Sequence, residues 1–592
     1  MSALATAASL QGFDLVVIVA YLALLLGLGG LLGKLVKNSK DMFAAGGQSP
    51  WWLSGISAYM TMFSSGTFVV WGGIAFKAGM VAVSISTCLG ISAFLVGAFL
   101  ARRWKETGAT SAAEYVRARF GPAAVQTYTW LGLVFRLLGS AVALYSIAVL
   151  ICALIPISDD AAQGNAFLSL LQDSETKALS VPLAIVITGI VVMVISGNLW
   201  AVLITDTLQF IVLGASVLIV VPMLFSEVGG IAAFRERAPD GFFQLANSEF
   251  TWIFLVGWVV IHAFKVGGEW AFVQRFLCVP RRRDAVKAAY LFGVLYVVSP
   301  LIWMLPPMLF RILEPSADPK EAYILACQAV LPAGLVGLMI SAMFSATVSM
   351  VDSEINVYGG ALTRDLYAPL RGKGPDDPSL VRVGHWITNV LGGIVIVLAI
   401  LIPKMGGAED VVLTITGLFA VPLVLPVVWS LFSRRIGLSA VFWAVGIGAL
   451  FSAGLKYHEA LLSPFGLASS ETLGFIETYN RTLQVIAGLV PPLVTLLLLE
   501  RTARGENPGH ARANELRQHL AASEATASSR VPALVMAWGC AALSLVFLIV
   551  GATNERFRSL VLGAGIGLLL IALLIFLLAK RRPEPPSPTS TP

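Results

Sequence analysis

The stretch PAGLVGLMISAMFSATVSMVDSEINVYGGALTRD, residues 332–365, is apolar enough to cross a bilayer, yet it carries polar side chains at its centre. Roughly 20 apolar residues suffice to span the hydrocarbon layer. At about 3.6 residues per turn, one helix face collects Ala342, Ser345, Ser349 and Asp352. Such a stripe of oxygen atoms can replace the water around a hard cation. It can equally join neighbouring helices through small and hydroxylated residues, so both interpretations stay open from this stretch alone.

The composition is typical of a polytopic helical membrane protein. Of 592 residues, 57% are hydrophobic and 12% are charged, whereas a soluble domain carries about a quarter charged residues. Hydrophobic runs between residues 13 and 579 predict about fifteen membrane spans. The five cysteines have no CxxC spacing, so neither a zinc site nor a disulfide framework is indicated. The basic residues lie in short loops, so the net charge of +6 does not indicate nucleic-acid binding.

The charges of the loops predict the orientation. With the N-terminus outside, about 27 of the 40 Lys and Arg residues fall inside, which agrees with the positive-inside tendency. The first apolar run is long and lacks a basic n-region, so we expect a retained helix rather than a cleaved signal. The chain is therefore expected to be a multi-pass protein of the cell (inner) membrane with a cytoplasmic C-terminus. A cytoplasmic loop is predicted over 501–530 and a disordered tail over 581–592.

Two hydrophobic spans are interrupted near their centres. Ser64–Gly66 interrupts the span 51–75, and Gly267–Gly268 interrupts the span 251–276. Glycine weakens a helix, and an unwound segment exposes backbone groups that can bind ions and substrate. Paired interruptions in corresponding spans indicate an inverted-repeat transporter. The predicted organisation is an N-terminal helix within 1–42, two five-helix repeats at 43–226 and 227–432, and further helices over 433–580.

Three stretches together resemble the sodium/solute symporter family, which includes sodium-coupled sugar, proline, pantothenate and iodide transporters. FAAGGQSPWWLSGISAYMTMFSSGTFVVWGG, residues 43–73, is similar to the entry into the family's first core helix. SGNLWAVLITDTLQF, residues 196–210, looks like the family's GG-x-x-AV-x-x-TD-x-x-Q element. Residues 337–367 resemble its serine-rich eighth core helix and end in RDLY, where members usually have D-x-Y. A further stretch, EWAFVQRFLCV at 269–279, is similar to the family's DQ-x-x-VQR-x-L.

The resemblance implies an all-α, LeuT-like five-plus-five inverted-repeat core with an additional N-terminal helix and extra C-terminal helices. It also implies a principal sodium site made by the carbonyls of Met60, Phe63 and Ala342 and the hydroxyl of Ser345. Members usually place a second Ser or Thr next to this serine, but Ala346 stands there.

A second sodium site, present in some members, resembles Asp206 with Ser345 and Ser349. Its other usual hydroxyl position is Val348. Asp206 also has a structural interpretation, because a carboxylate inside an apolar run needs compensation. Arg136, in the apolar span 123–154, is a candidate ion-pair partner.

Sugar-carrying members use an acid–Gln pair in the first core helix and an acid in the second. Those positions are Gly66, Thr67 and Ser86 here, which argues against a close sugar-transporter relative. The predicted substrate contacts are Ser64, Thr67, Ser86, Lys265, Glu269 and Trp270.

On an intact helix His262, Lys265 and Glu269 share one face. Lys265 could then hold the carboxylate and Glu269 the amine of a zwitterionic substrate. Equally, Lys265 and Glu269 could pair with each other at i,i+4 spacing.

We therefore predict a sodium-coupled symporter of a small polar organic solute, such as an amino acid or a carboxylate, that works by alternating access. The expected partners are the solute, sodium as the coupling ion and the lipid bilayer, with no cofactor, no nucleic acid and no enzymatic activity. A proton-coupled symporter is the nearer alternative, because Asp206, Asp352 and Glu269 can titrate. A transporter-like sensor is the other alternative, and the lack of an output domain in this sequence argues against it.

Overall fold

The computed structural model describes residues 12–33, 47–157, 171–173, 179–194, 199–372, 379–465, 469–521, 531–553 and 558–580, with Asp159 and Ser169. The predicted tail at 581–592 and residues 196–198 lie outside the described residues.

Helices form most of the described chain. In chain order they are α1 (Gly12–Gly33), α2 (Trp51–Met60), α3 (Gly72–Ala78), α4 (Met80–Phe99), α5 (Ala101–Glu106), α6 (Ala112–Phe120), α7 (Pro122–Leu154), α8 (Val181–Val194), α9 (Leu199–Val228), α10 (Gly230–Arg237), α11 (Trp252–Gly268), α12 (Trp270–Leu277), α13 (Arg282–Val298), α14 (Leu305–Leu313), α15 (Ala322–Val330), α16 (Leu335–Ala361), α17 (Ser379–Leu401), α18 (Gly407–Ser430), α19 (Leu438–Lys456), α20 (Ser470–Thr478), α21 (Asn480–Thr502), α22 (Pro508–Ala521), α23 (Val531–Thr553) and α24 (Arg558–Lys580).

Many of these helices are long and apolar enough to cross a membrane. Among the described residues eleven pass on length and composition, and the bent pair α11 and α12 makes a twelfth if it is one span. Three shorter apolar helices add to these: Gly12–Leu24, Thr67–Ala78 and Val181–Met193. The all-helical, membrane-spanning architecture is thus confirmed, whereas the count of about fifteen spans stays a prediction.

Nine helices form two groups, and each group takes helices from both predicted repeats. In the first group, α13 packs with α2, α4 and α12, and α11 packs with α4 and α12. In the second group, α7, α8, α16 and α17 pack with one another. Helix α9 contacts both groups through α2 and α16, and α18 does so through α11 and α7. Helices at equivalent places in the two halves of the chain therefore take equivalent places in the bundle, although the repeat boundaries themselves stay predictions.

The C-terminal helices lie outside this arrangement. The hairpin of α23 and α24 packs against α9, while α19 and α21 pack against α18. The predicted cytoplasmic loop 501–530 contains a helix, α22, which packs on α6. The contact requires glycine at position 108, because a side chain there would overlap the carbonyl of Leu516.

Both interrupted spans are broken, as the sequence predicted. The first breaks over residues 61–64, where α2 ends at Met60 and a new helical segment begins before the π-helical turn Thr67–Trp71. The second breaks at Glu269, whose backbone is extended, and α12 turns 58° away from α11. Helix α12 packs against α2, so the second break is joined to the first half of the broken α2 span.

Loops assigned to the same side of the membrane meet one another. At one end, Lys105 donates to the Leu277 carbonyl at 2.8 Å and Arg119 to the Ser433 carbonyl at 3.1 Å. At the other end, Lys77 pairs with Glu409 at 2.8 Å. The predicted alternation of spans across the membrane is therefore consistent with the packing. We call the end that contains Lys105 and Arg119 the basic end.

The N-terminal helix is fastened to α16 by a buried carboxylate. Asp14 Oδ1 accepts hydrogen bonds from the backbone amides of Gly334 at 2.7 Å and Gly337 at 2.8 Å. These amides belong to the start of α16, where helical N–H groups lack intrahelical partners and the helix dipole favours a negative charge. Gly337 is needed for this approach, since a Cβ atom there would lie 2.4 Å from the Asp14 carbonyl oxygen.

We expect Asp14→Ala to lower the thermal stability of the purified protein, because two buried amides lose a charged acceptor at about 1–3 kcal/mol each. Asp14→Asn is the matched control, since its amide oxygen can still accept, and it should melt between the alanine variant and the wild type. A wild-type melting temperature for Asp14→Ala would contradict this account of the joint.

Candidate functional site

The break in the first span is held open by hydroxyl groups. The Ser64 hydroxyl accepts from the Gly66 amide at 3.2 Å, and the Thr67 hydroxyl accepts from the Ser64 amide at 3.3 Å. This reciprocal arrangement caps the second half of the span as a capping box does. The Thr347 hydroxyl of α16 accepts a hydrogen bond from the Ser65 amide at 3.0 Å and donates one to the Ser65 hydroxyl at 2.9 Å. Two predicted substrate contacts, Ser64 and Thr67, therefore also hold the backbone of the break.

Helices α9 and α16 face each other through a polar seam. Ser349 donates to Asp206 Oδ1 at 2.9 Å, and Ser57 of α2 donates to Asp206 Oδ2 at 2.7 Å. One turn away, the Gln209 side-chain amide donates to the Ser345 hydroxyl at 2.6 Å. We call Asp206, Gln209, Ser345 and Ser349 the ion seam. All four side chains are buried or nearly so.

A small cavity opens from the ion seam to the break in the first span. It encloses about 270 Å³ and is lined by Met60, Thr61, Val202, Asp206, Ala271, Arg275, Ser349, Met350, Ser353 and Glu354. The structure thus brings together three residues predicted to bind sodium: Met60, Asp206 and Ser349. Of the other three, Ser345 lies in the same seam and Ala342 is buried on the same helix. Phe63 lines a different cavity, and the Met60 carbonyl accepts from the Phe63 amide at 2.8 Å.

A cavity of about 450 Å³ on the other side of the break has five aromatic side chains among its thirteen lining residues. We call it the aromatic cavity. Thr67 and Ser86, both predicted substrate contacts, line it. The remaining lining residues are Tyr59, Met62, Phe63, Trp71, Ile85, Leu89, Tyr296, Ser299, Pro300, Trp303 and Met304. Tyrosine, serine and threonine hydroxyls thus supply hydrogen-bonding groups among aromatic faces, a lining typical of small-molecule sites.

A third cavity, of about 490 Å³, is charged, and we call it the charged cavity. Lys265, Glu269 and Trp270, the other predicted substrate contacts, line it together with Arg136 and Tyr358. The rings of Trp270 and Tyr358 stack at 6.5 Å with an angle of 7° between their planes. The six predicted substrate contacts therefore do not form one site. Thr67 and Ser86 lie in the aromatic cavity, Lys265, Glu269 and Trp270 lie in the charged cavity, and Ser64 lies at the break.

The ion pairs differ from both sequence-based hypotheses. Arg136 meets Glu269 and Glu354, so the suggested Arg136–Asp206 pair is wrong. Asp206 is linked instead to Arg275, whose Nε donates to the Ser57 hydroxyl at 3.3 Å. We call Arg136, Glu269 and Glu354 the Arg136 cluster, and their side chains are 13%, 9% and 8% exposed, respectively. Each of these buried charges therefore needs a partner.

The Lys265–Glu269 pair is wrong as well, because the chain leaves the helix at Glu269 and the carboxylate turns to Arg136. Within the described residues no carboxylate lies within 4 Å of the Lys265 ammonium, which instead lies 5.9 Å from the centre of the Phe135 ring. His262 is buried and its Nδ1 lies 2.9 Å from the Trp258 carbonyl, so it is engaged within its own helix.

Several residues that shape these cavities were not predicted from the sequence as site residues. Gln209 is the last residue of the TD-x-x-Q element, so its place in a motif was a usable signal. Glu354 lies in the polar stretch 332–365, but its position along the helix gave no indication that it pairs with Arg136. Ser57 and Thr347 carried no signal, since isolated hydroxyls are frequent in membrane helices.

Broken helices that meet near buried polar and charged groups are typical of one class of protein: secondary transporters built from inverted repeats. The comparisons with known proteins identify the family. The model of the sodium:solute symporter family matches residues 42–448. The chain therefore belongs to the sodium:solute symporter family, as the sequence motifs predicted, and it is a transporter rather than an enzyme.

Individual relatives are distant. Solute carrier family 5 member 4 of Rattus norvegicus is 24% identical over 489 residues, which cover 74% of this chain and 69% of the relative. Sodium/glucose cotransporter 1 of Ovis aries is 24% identical over 515 residues, covering 77% and 74%. Among solved structures, a substrate-bound, outward-open sodium-coupled sialic acid symporter has a TM-score of 0.59 at 20% identity, covering 82% of this chain and 98% of that one. That likeness shows a shared fold.

We expect Arg136→Met to reduce the yield of folded protein sharply, since it leaves two buried carboxylates without their cation at about 3–5 kcal/mol. The triple variant R136M/E269Q/E354Q removes the charges together and should recover much of that yield. Size-exclusion chromatography of the solubilised protein measures both. Arg136→Lys is the control for charge, and a normal yield for Arg136→Met alone would contradict the assigned ion pairs.

Proposed function

We propose that this protein carries a small polar organic solute, such as an amino acid or a carboxylate, across the cell membrane together with sodium. The observation that carries the proposal is the ion seam, which places a carboxylate and hydroxyls beside the broken first span in a member of this family. Sodium prefers oxygen ligands, as other hard cations do. Alternating access around the break would couple sodium binding to solute movement.

The proposed principal sodium site uses the carbonyls of Met60, Phe63 and Ala342 with the Ser345 hydroxyl. It is supported by the break, where the Met60 carbonyl leaves the α-helical pattern and accepts from the amide of Phe63, three residues on. The proposed second site uses Asp206, Ser349 and Ser345, and the small cavity shared by Met60, Asp206 and Ser349 supports it. Both sites draw on α16, so ion binding would fix α16 relative to the break.

For the solute, we propose that the aromatic cavity is the main binding site. Its hydroxyls, including those of Ser86 and Ser299, would bind a polar group while its rings cover an apolar surface. The charged cavity offers the Lys265 ammonium, which would hold a solute carboxylate on the way to or from the basic end. This division suits a solute with one flat or apolar part and one charged group.

The arrangement in the membrane is also proposed. The eleven long helices, the bent pair and the three shorter apolar helices would make about fifteen spans. The basic end would face the cytoplasm, following the positive-inside tendency, with the N-terminus outside and the C-terminus inside. Exposed leucines such as Leu570 and Leu573 on α24 would contact lipid.

A screen of solutes in proteoliposomes with an imposed sodium gradient tests the function. Uptake driven by sodium at equal pH on both sides would support it. The Arg136 cluster, in which two carboxylates share one guanidinium, favours proton coupling as the second candidate. Uptake driven by an acid-outside pH gradient without sodium would replace the first proposal with the second.

We expect Ser345→Ala to raise the sodium concentration for half-maximal uptake about tenfold, because one hydroxyl ligand is worth roughly 1–2 kcal/mol. Ala346→Ser should lower that concentration by restoring a hydroxyl usual in the family. Sodium titrations of uptake measure both variants. An unchanged sodium midpoint for Ser345→Ala, with uptake driven by acid pH alone, would show that the site does not couple transport.

We expect Ser86→Ala to raise the half-saturating solute concentration several-fold, because a hydrogen bond to the solute is worth about 1 kcal/mol, and to leave the sodium midpoint unchanged at saturating solute. Lys265→Met should weaken transport of an anionic solute and spare a neutral one. Paired solute and sodium titrations check this. A normal half-saturating concentration for Ser86→Ala would remove the aromatic cavity as the main site.

A further inference from the structure

Two buried oxygen atoms near Ser345 make no hydrogen bond of ordinary geometry among the described residues: the Tyr21 hydroxyl and Gln209 Oε1. Ser345 is the polar neighbour of the Tyr21 hydroxyl. Tyr21 is 2% exposed and Gln209 is 1% exposed, so water outside the protein does not reach them. An unpaired buried polar group costs free energy, and native proteins rarely keep one without a reason. Two such atoms around one serine indicate a missing occupant.

The helix register places Tyr21 at the ion seam. Asp14 of α1 is bonded to the Gly337 amide of α16, which aligns the two helices there. Seven residues advance α1 from Asp14 to Tyr21 by about 10.5 Å, and eight residues advance α16 from Gly337 to Ser345 by about 12 Å. Running in the same direction, the two helices bring Tyr21 level with Ser345, and the two hydroxyls are neighbours without a well-formed hydrogen bond between them.

Gln209 reaches the same serine from the opposite side. Helices α9 and α16 run in opposite directions, so Asp206 meets Ser349 and Gln209 meets Ser345 one turn further along. In this structure Gln209 turns its amide nitrogen toward Ser345, which leaves its oxygen unpaired. Rotation of the amide group would present that oxygen to a cation instead.

We propose that Tyr21 and Gln209 are sodium ligands: the Tyr21 hydroxyl and Gln209 Oε1 join the Ser345 hydroxyl around an ion bound between α1, α9 and α16. Asp206, one turn away, supplies the negative charge. This inference rests on the proposed sodium-coupled function and deepens it.

Sodium-dependent thermal stability of the full-length protein in detergent tests the proposal, with choline chloride keeping the ionic strength constant. A ligand that binds the folded state raises the melting temperature according to its affinity. We expect Tyr21→Phe to raise the sodium midpoint about tenfold while leaving the melting temperature without sodium no lower than that of the wild type. Gln209→Met should raise the midpoint as well.

Tyr323→Phe is the matched control, because Tyr323 is another buried tyrosine whose hydroxyl is unpaired within the described residues, and it lies beside Phe68 instead. Its sodium midpoint should equal that of the wild type. A wild-type midpoint for Tyr21→Phe would overturn the inference alone, and would indicate water as the occupant. No sodium effect on the wild type would overturn the proposed sodium coupling together with the inference. If Tyr21→Phe does not fold, Gln209→Met decides by the same criterion.

Discussion

A backbone that leaves the helix inside a membrane must find new hydrogen-bond partners, and this constraint shapes the centre of the molecule. At the first break the partners are Ser64, Thr67 and Thr347. Thr347 stands on the same helix as Ser345 and Ser349, but it faces the break while they face α9. The polar residues of α16 are therefore both the joint that keeps the break open and the wall of the ion seam. The two interpretations of its serine-rich sequence, helix packing and the proposed ion binding, concern different faces of one helix.

Charge balance is the second constraint around the break. Asp206 is linked through Ser57 to Arg275, and Arg136 meets two carboxylates while Lys265 lies close by. Counted over this region, three cations oppose three carboxylates. A sodium ion arriving at Asp206 would add a positive charge and compete with Arg275 for that carboxylate. Because Arg275 and Glu354 line the same small cavity, a change at the ion seam would reach the charged cavity through electrostatics alone.

Sequence patterns predicted the class, both helix breaks and the proximity of Asp206, Ser345 and Ser349, because these depend on apolar length, glycine position and helical spacing; the sodium role of these residues stays a prediction. They could not predict the ion pairs. The Lys265–Glu269 hypothesis required a continuous helix through the residues where a break was also predicted, and the break prevailed. Arg136, Glu269 and Glu354 come from three segments far apart in the chain, so their meeting depends on how the helices pack. The division of the substrate contacts between two cavities has the same cause.

The N-terminal helix is additional to the five-plus-five core, yet it is joined to the helix that matters most. Asp14 binds the start of α16, and Gly337 leaves no room between them, so α1 and α16 must move together. If alternating access separates the two helix groups, the distance from Ser345 to Tyr21 stays fixed while the distance to Met60 changes. Ligands on α1 and α16 would then set how tightly an ion is held in every state. Ligands on the broken first span would decide in which state the site is complete, and this second set would give sodium its influence on the direction of transport.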